Sequence, residues 1–263
     1  MRLNKDNWGS HARIGMFIVA SEAVPEAEWW AMLPADVSVH AARITAATPW
    51  ARWDENRREV ELADDLSRGL QQFAAMHLSV VVVGHSSSSF LGGKGWDEAI
   101  SRKLSATLKP TVSVTTNGLD LLAGLRALKS ERPFLVLPAW FNEKTVDASL
   151  RYFTDHNVNP ARHHRYDPGP KWRDVAPNEM YPLGAGFDQD VELLYAQIIE
   201  ACPDTADSVL IAGTGFRCIA ILDSLEKALG LPVVSANQAS LWHSLKLAGV
   251  PHDITGYGRL FAI

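Results

Sequence analysis

The chain has 263 residues, 47% of them hydrophobic and 21% charged, with a formal net charge of −5. That balance buries a full core and suits one large or two small domains, and its sign gives no electrostatic footprint for nucleic acid or an anionic membrane surface. No apolar run reaches the roughly 18 residues of a membrane span. Residues 1–13 carry Arg2, Lys5, Asp6 and His11 in place of an apolar signal segment, and two cysteines make no disulfide framework, so a reducing cytoplasm is the expected compartment.

Short apolar runs read as buried parallel strands at 14–19, 80–84, 111–114, 134–137, 209–212 and 232–234. Helical patterns lie between them. Residues 59–76 place Val60, Leu62, Leu66, Leu70 and Phe73 on one stripe; 119–128 and 190–201 behave similarly; 219–229 ends before Gly230 and Pro232, a stop signal. This alternation predicts an α/β fold with parallel sheets covered on both faces. Segments 48–58 and 159–183, rich in Pro, Trp and charge, read as loops or lids over a cleft.

Three elements recur in the same order. Residues 14–21 are echoed by 134–141, VVVGHSSSSF (81–90) by VLIAGTGFRC (209–218), and PTVSVTTNGLDLLAGLRAL (110–128) by PVVSANQASLWHSLKLAG (232–249). The repeat predicts two similar α/β domains, one formed by 1–119 plus 228–263 and the other by 120–227.

Ligands of open α/β sheets bind beyond the carboxyl ends of the strands, which puts the two repeated turns first. In Gly84-His85-Ser86-Ser87-Ser88-Ser89-Phe90, four serines exceed what one helix cap needs, and hydroxyls with unpaired N–H groups make an anion site. Gly213-Thr214-Gly215-Phe216-Arg217-Cys218 stands at the equivalent place, so the pair suggests a carboxylate clamped between domains. His85 is a candidate acid/base, with a structural hydrogen-bonded role as the alternative. Arg217 could take a carboxylate through its bidentate fork or lie on the surface. Trp140, Phe90 and Phe216 could wall an apolar pocket or fill the core. Glu22 could face the cleft or serve as a cap. Cys218 and Cys202 read as structural, and His163-His164 lacks zinc spacing.

VVSANQASLWHSLKLAG with GYGRLF (256–261), together with IGMFIVASEAVPEAE, GHSSSSFLGG and GTGFRC, resembles the arylmalonate decarboxylase and maleate cis-trans isomerase family of the Asp/Glu racemase superfamily, over nearly the whole chain. The resemblance implies two pseudo-symmetric Rossmann-like (flavodoxin-like) αβα domains with the active site in the cleft between them, and no metal or organic cofactor. Family members place a catalytic cysteine on the first turn, the second or both; here those positions are Gly84 or His85, and Gly213, while Cys218 lies five residues too late. The isomerases have asparagine where Glu22 stands, and a carboxylate-binding tyrosine is replaced by Trp140. Ser86 and Ser87 match the hydroxyl pair of the decarboxylase oxyanion pocket, and Thr214 and Gly215 its backbone donors.

The expected protein is a cofactor-free lyase lacking the usual catalytic cysteines. It would act on a small carboxylate or dicarboxylate through an enediolate or carbanion. His85 would donate the proton, Ser86, Ser87 and Gly213 would act with it, and Glu22, Ser88, Trp140, Thr214, Gly215 and Phe216 would bind substrate. Competing readings are a maleate-type cis-trans isomerase or tautomerase, a hydrolase using the serine-rich turn, and a non-catalytic carboxylate-binding homologue. The partner is a small carboxylate, with no nucleic acid and no membrane; a homo-oligomer stays open.

Overall fold

The computed structural model describes residues 8–56 and 58–263; residues 1–7, most of the segment read as lacking a signal, lie outside them. In the first half, β1 (Ala12–Val19), α1 (Val24–Met32) and β2 (Val37–Ile44) lead into a hairpin of β3 (Ala51–Asp54) and β4 (Glu59–Leu62). Then come α2 (Asp64–Ala74), β5 (Val80–Val83), α3 (Ser86–Gly92), α4 (Trp96–Ser105), β6 (Ser113–Thr116) and α5 (Asn117–Ala127). The second half holds β7 (Pro133–Leu137), α6 (Glu143–Asp155), β8 (Arg162–Arg165), α7 (Pro177–Met180), α8 (Val191–Ala201), β9 (Ser208–Ile211), α9 (Leu222–Leu229), β10 (Val233–Ser235) and α10 (Ala236–Leu247).

The two four-stranded parallel sheets run β2-β1-β5-β6 and β8-β7-β9-β10. The orders are the same, and the three sequence repeats fall on β1/β7, β5/β9 and β6–α5/β10–α10. Four consecutive valines make β5, all fully buried. Val80 and Val82 face the core shared with the second half, and Val81 and Val83 face a separate core beneath α2 and α4. The repeat extends to the helix caps: the Thr116 hydroxyl accepts from Leu119 N–H at the start of α5, and Ser235 accepts from Gln238 N–H in a capping box at the start of α10.

Helices α5 and α10 pack on each other and join the halves. Asn117 Nδ2 donates to the Ala236 carbonyl and to Ser240 Oγ, both at 2.9 Å, and Ser240 Oγ donates to Asp120 Oδ2 at 2.5 Å. The C-terminal segment does not join the first half as a block. Val233 pairs with Val209, so β10 completes the edge of the second sheet with buried valines, while α10 reaches back to α5 and α1. Residues 228–263 are therefore shared between the halves.

Several elements differ from expectation: β2 forms at 37–44, where no strand was expected, and β3 inside the 48–58 segment read as a loop. Glu59–Leu62 is a strand: its Glu-Val-Glu-Leu alternation has period two and pairs with β3, so the helix starts only at Asp64. The 159–183 segment contains β8, an edge strand on β7, as well as the short α7. Among the described residues no helix is long and apolar enough to cross a membrane.

Candidate active site

The loops that follow β1, β5, β7 and β9, together with the insertion between β8 and α8, enclose a cleft of about 470 Å³. Its wall brings together Glu22, His85, Ser86, Ser87, Trp140, Gly213, Thr214 and Gly215. These residues come from both halves and lie where the carboxyl ends of parallel strands converge. Ser88 and Phe216, expected to touch substrate, do not line it. Ser88 is fully buried in α3, and Phe216 is fully buried behind Trp140, with ring centres 5.7 Å apart.

On the first turn, α3 starts at Ser86, and its leading N–H groups have no intrahelical partner. Ser86 Oγ donates to Asn117 Oδ1 at 2.6 Å; the Asn117 amide is fixed in that sense because its Nδ2 donates twice elsewhere. The Ser86 hydroxyl proton is therefore committed, leaving the backbone N–H for a ligand. Ser87, half-buried on the cleft wall, has a hydroxyl free to donate.

His85 departs from its expected role. Its ring stacks on Trp50 with centres 4.3 Å apart, and Nδ1 lies 2.9 Å from Ser88 Oγ. Ser88 Oγ accepts the Trp50 backbone N–H at 3.1 Å; when its own proton goes to Nδ1, the imidazole proton sits on Nε2. Burial lowers the imidazole pKa to about 3. A ring that stays neutral at physiological pH offers a hydrogen-bond donor and does not deliver a proton. The serine that His85 touches, Ser88, is buried and already engaged, so a hydrolase would need another serine of the run.

On the second turn Gly213 has φ +115°, a conformation L side chains rarely adopt, and contributes main chain only. Among the described residues the Thr214 and Gly215 N–H groups have no partner, whereas the Thr214 hydroxyl donates to Glu22 Oε2 at 3.3 Å. Glu22 follows β1, is 6% exposed, and lies against the second turn; a Cβ on Gly215 would fall 2.6 Å from its Oε1. Desolvation, offset in part by the Thr214 bond, raises its pKa to about 8. Glu28, six residues further on in α1, also crosses to the second half. It accepts from Cys218 N–H at 2.7 Å, Ile219 N–H at 3.1 Å and Asn237 Nδ2 at 2.6 Å.

Other candidates lie elsewhere. Arg217 Nη2 donates to the Gln189 carbonyl at 2.7 Å, away from the cleft, and Phe90 is core beside Tyr152 and Phe153. The chain does carry two thiols, but neither lines the cleft: Cys218 is buried, its pKa pushed well above the usual thiol value by burial and by Glu28, and Cys202 ends α8. His163 and His164 lie on β8, where His164 Nε2 meets Gln197 Oε1 at 2.9 Å. Among the described residues no group of three or more His, Cys, Asp or Glu is placed to hold a metal ion.

The arylmalonate decarboxylase family model matches residues 57–261. The chain belongs to the arylmalonate decarboxylase family. Arylmalonate decarboxylase of Bordetella bronchiseptica is 26% identical over 204 residues, 77% of this chain and 78% of its own. A crystal structure of arylmalonate decarboxylase matches with a TM-score of 0.71 at 23% identity, covering 95% of this chain and 99% of that one. The maleate isomerase Iso from Pseudomonas putida S16 matches with a TM-score of 0.78 at 17% identity, covering 95% and 98%. A Nocardia farcinica maleate cis-trans isomerase mutant with a covalently bound succinylcysteine intermediate matches at 0.76 and 18%, again covering 95% and 98%. These relatives are decarboxylases and isomerases.

Family motifs gave no indication of Tyr181, Asn142 or Lys144, which also line the cleft, or of Trp50 behind His85. Tyr181 lies in the Trp- and Pro-rich segment read as a lid, the one signal that pointed there. Lys144 is the one Lys or Arg on the cleft wall among the described residues.

Proposed function

We propose that the protein decarboxylates a small malonate-like dicarboxylate without a cofactor, and that Glu22 donates the proton to carbon. The observation that carries this reading is a buried carboxyl, protonated near neutrality, sharing one cleft with the Ser87 hydroxyl and the unpaired N–H groups of both turns. Cleavage of one C–C bond releases CO₂ and leaves the electron pair on the α-carbon as an enediolate of the remaining carboxylate. Ser87, His85 Nε2–H and the N–H groups of Ser86, Thr214 and Gly215 stabilise that developing charge, where a single preorganised donor is typically worth on the order of 3 kcal/mol. Glu22 then protonates the α-carbon and, now a carboxylate, recovers its proton from water. Val19, Leu91, Trp140 and Phe141 give the departing carboxylate an apolar wall, and Lys144 at the rim attracts the dianion.

No cysteine lines the cleft, so an adduct like the succinylcysteine of the Nocardia farcinica enzyme has no thiol to form on, and the proton for carbon has to come from another group. The test is turnover of phenylmalonate and maleate in D₂O. Release of CO₂ with one deuterium on the product carbon supports the reading; conversion of maleate to fumarate with phenylmalonate untouched overturns it.

A further inference from the structure

Four buried side-chain polar atoms lack a hydrogen-bond partner among the described residues: Trp29 Nε1, Ser101 Oγ, Ser244 Oγ and Tyr181 OH. Tyr181 alone belongs to a cleft-lining residue. Its ring is held tightly on three sides. A Cβ on Gly186 would lie 2.6 Å from the ring and 3.1 Å from the hydroxyl, and a Cβ on Gly215 would lie 2.9 Å from it. Trp140 packs edge to face at 5.0 Å between centres. Two glycines thus leave room for a phenol whose hydroxyl is satisfied by nothing among the described residues. Glu22, close by, takes its hydrogen bond from Thr214 instead.

A buried donor left unpaired is costly, and such exceptions in folded proteins call for a partner from outside the chain. We propose that Tyr181 is a substrate-binding residue whose hydroxyl donates to a carboxylate oxygen of the ligand lying against the second turn. It deepens the reading above, on which the cleft takes a carboxylate. Burial and the Glu22 carboxyl raise the phenol pKa, so the group remains a donor at any pH where the enzyme works. The contact would also explain how the cleft holds a carboxylate with Trp140 on its wall: the phenol arrives from the α7 segment, packed on Trp140.

The test compares wild type with Tyr181→Phe by calorimetric titration of phenylacetate and of its neutral isostere phenylacetamide, with malonate and maleate as further probes. The variant should bind carboxylates on the order of 10-fold to 100-fold more weakly, as expected for loss of a hydrogen bond to a charged group. Its loss for phenylacetamide, whose carbonyl accepts only a neutral hydrogen bond, should be smaller, about 2-fold to 10-fold, and it should melt no lower, since an unpartnered hydroxyl has been removed. Gly186→Ala, which displaces the ring, should reproduce the loss. Equal carboxylate affinity in wild type and Tyr181→Phe overturns the proposal, as does a wild-type protein that binds none of the carboxylates. Because binding is read without turnover, wild-type protein that binds phenylacetate but leaves phenylmalonate unchanged would refute the decarboxylase reading while leaving the Tyr181 comparison decisive.

Discussion

Replacing Glu22 with Gln keeps the shape of the side chain and removes its titration. The wild-type carboxyl is raised from 4.5 to about 8 by burial, a shift that converts to roughly 5 kcal/mol at 1.36 kcal/mol per unit. The folded state binds more protons than the unfolded state between those two values. Below pH 4.5 both states are protonated and nothing is lost; stability then falls as pH rises through the window, and the loss is complete above pH 8. Glutamine pays no such penalty. The stability advantage of Glu22→Gln over wild type should therefore grow from its value at pH 4 by up to about 5 kcal/mol at pH 9, read from urea denaturation midpoints across that range. Activity should move the other way. Loss of a general acid typically costs about 10²-fold to 10⁴-fold in rate, and the wild-type rate should decline on the alkaline side near pH 8. Parallel stability curves for the two proteins, or a variant that keeps its rate, would refute the reasoning.

Ser87→Ala removes the one uncommitted hydroxyl of the first turn and should lower kcat on the order of 10²-fold, with a smaller change in KM, in steady-state assays. His85→Gln should leave the pH–rate profile without a new acid limb, because the wild-type imidazole is already neutral. Since burial lowers its pKa from 6.5 to about 3, wild type should lose stability as pH falls through that window, and the variant should lose less there in acid denaturation. Gly215→Ala places a methyl 2.6 Å from Glu22 Oε1 and 2.9 Å from Tyr181; it should abolish most turnover while shifting the melting temperature by only a few degrees, about what 1 kcal/mol produces in a domain of this size.

The repeat was legible because each half spells the same strand, small-residue turn and helix, and a sheet built on such units has few alternatives. Positions 85–87 and 213–215 could be placed on facing turns for that reason. The chemistry of individual groups was less legible. That His85 is neutral follows from its burial, and the Trp50 ring stacked on it comes from a loop outside the repeat. That Ser86 has spent its proton depends on Asn117, 31 residues away. Glu22 carries no local mark of its raised pKa, which arises from burial against a turn 192 residues later in the chain. Strands β2 and β8 were missed: each pairs through one edge, and Ser38, His40 and Arg43 in β2 and the Arg-His-His-Arg of β8 break the apolar run that betrays a central strand.

Glu22 and Glu28 both start in the first half and end buried against the second. Any motion that parts β1 and α1 from the second turn would admit water to Glu22 and let its pKa fall toward 4.5, so opening the cleft at neutral pH discharges a proton and closing it takes one up. Alkali therefore pulls the molecule toward the open form by mass action, and ligand binding that closes the cleft carries a proton with it. Calorimetric titrations in two buffers of different ionisation enthalpy would count that proton directly. If Glu22 is the acid that protonates carbon, its proton would then also count closure: the site would be charged for the next turnover only with the halves docked.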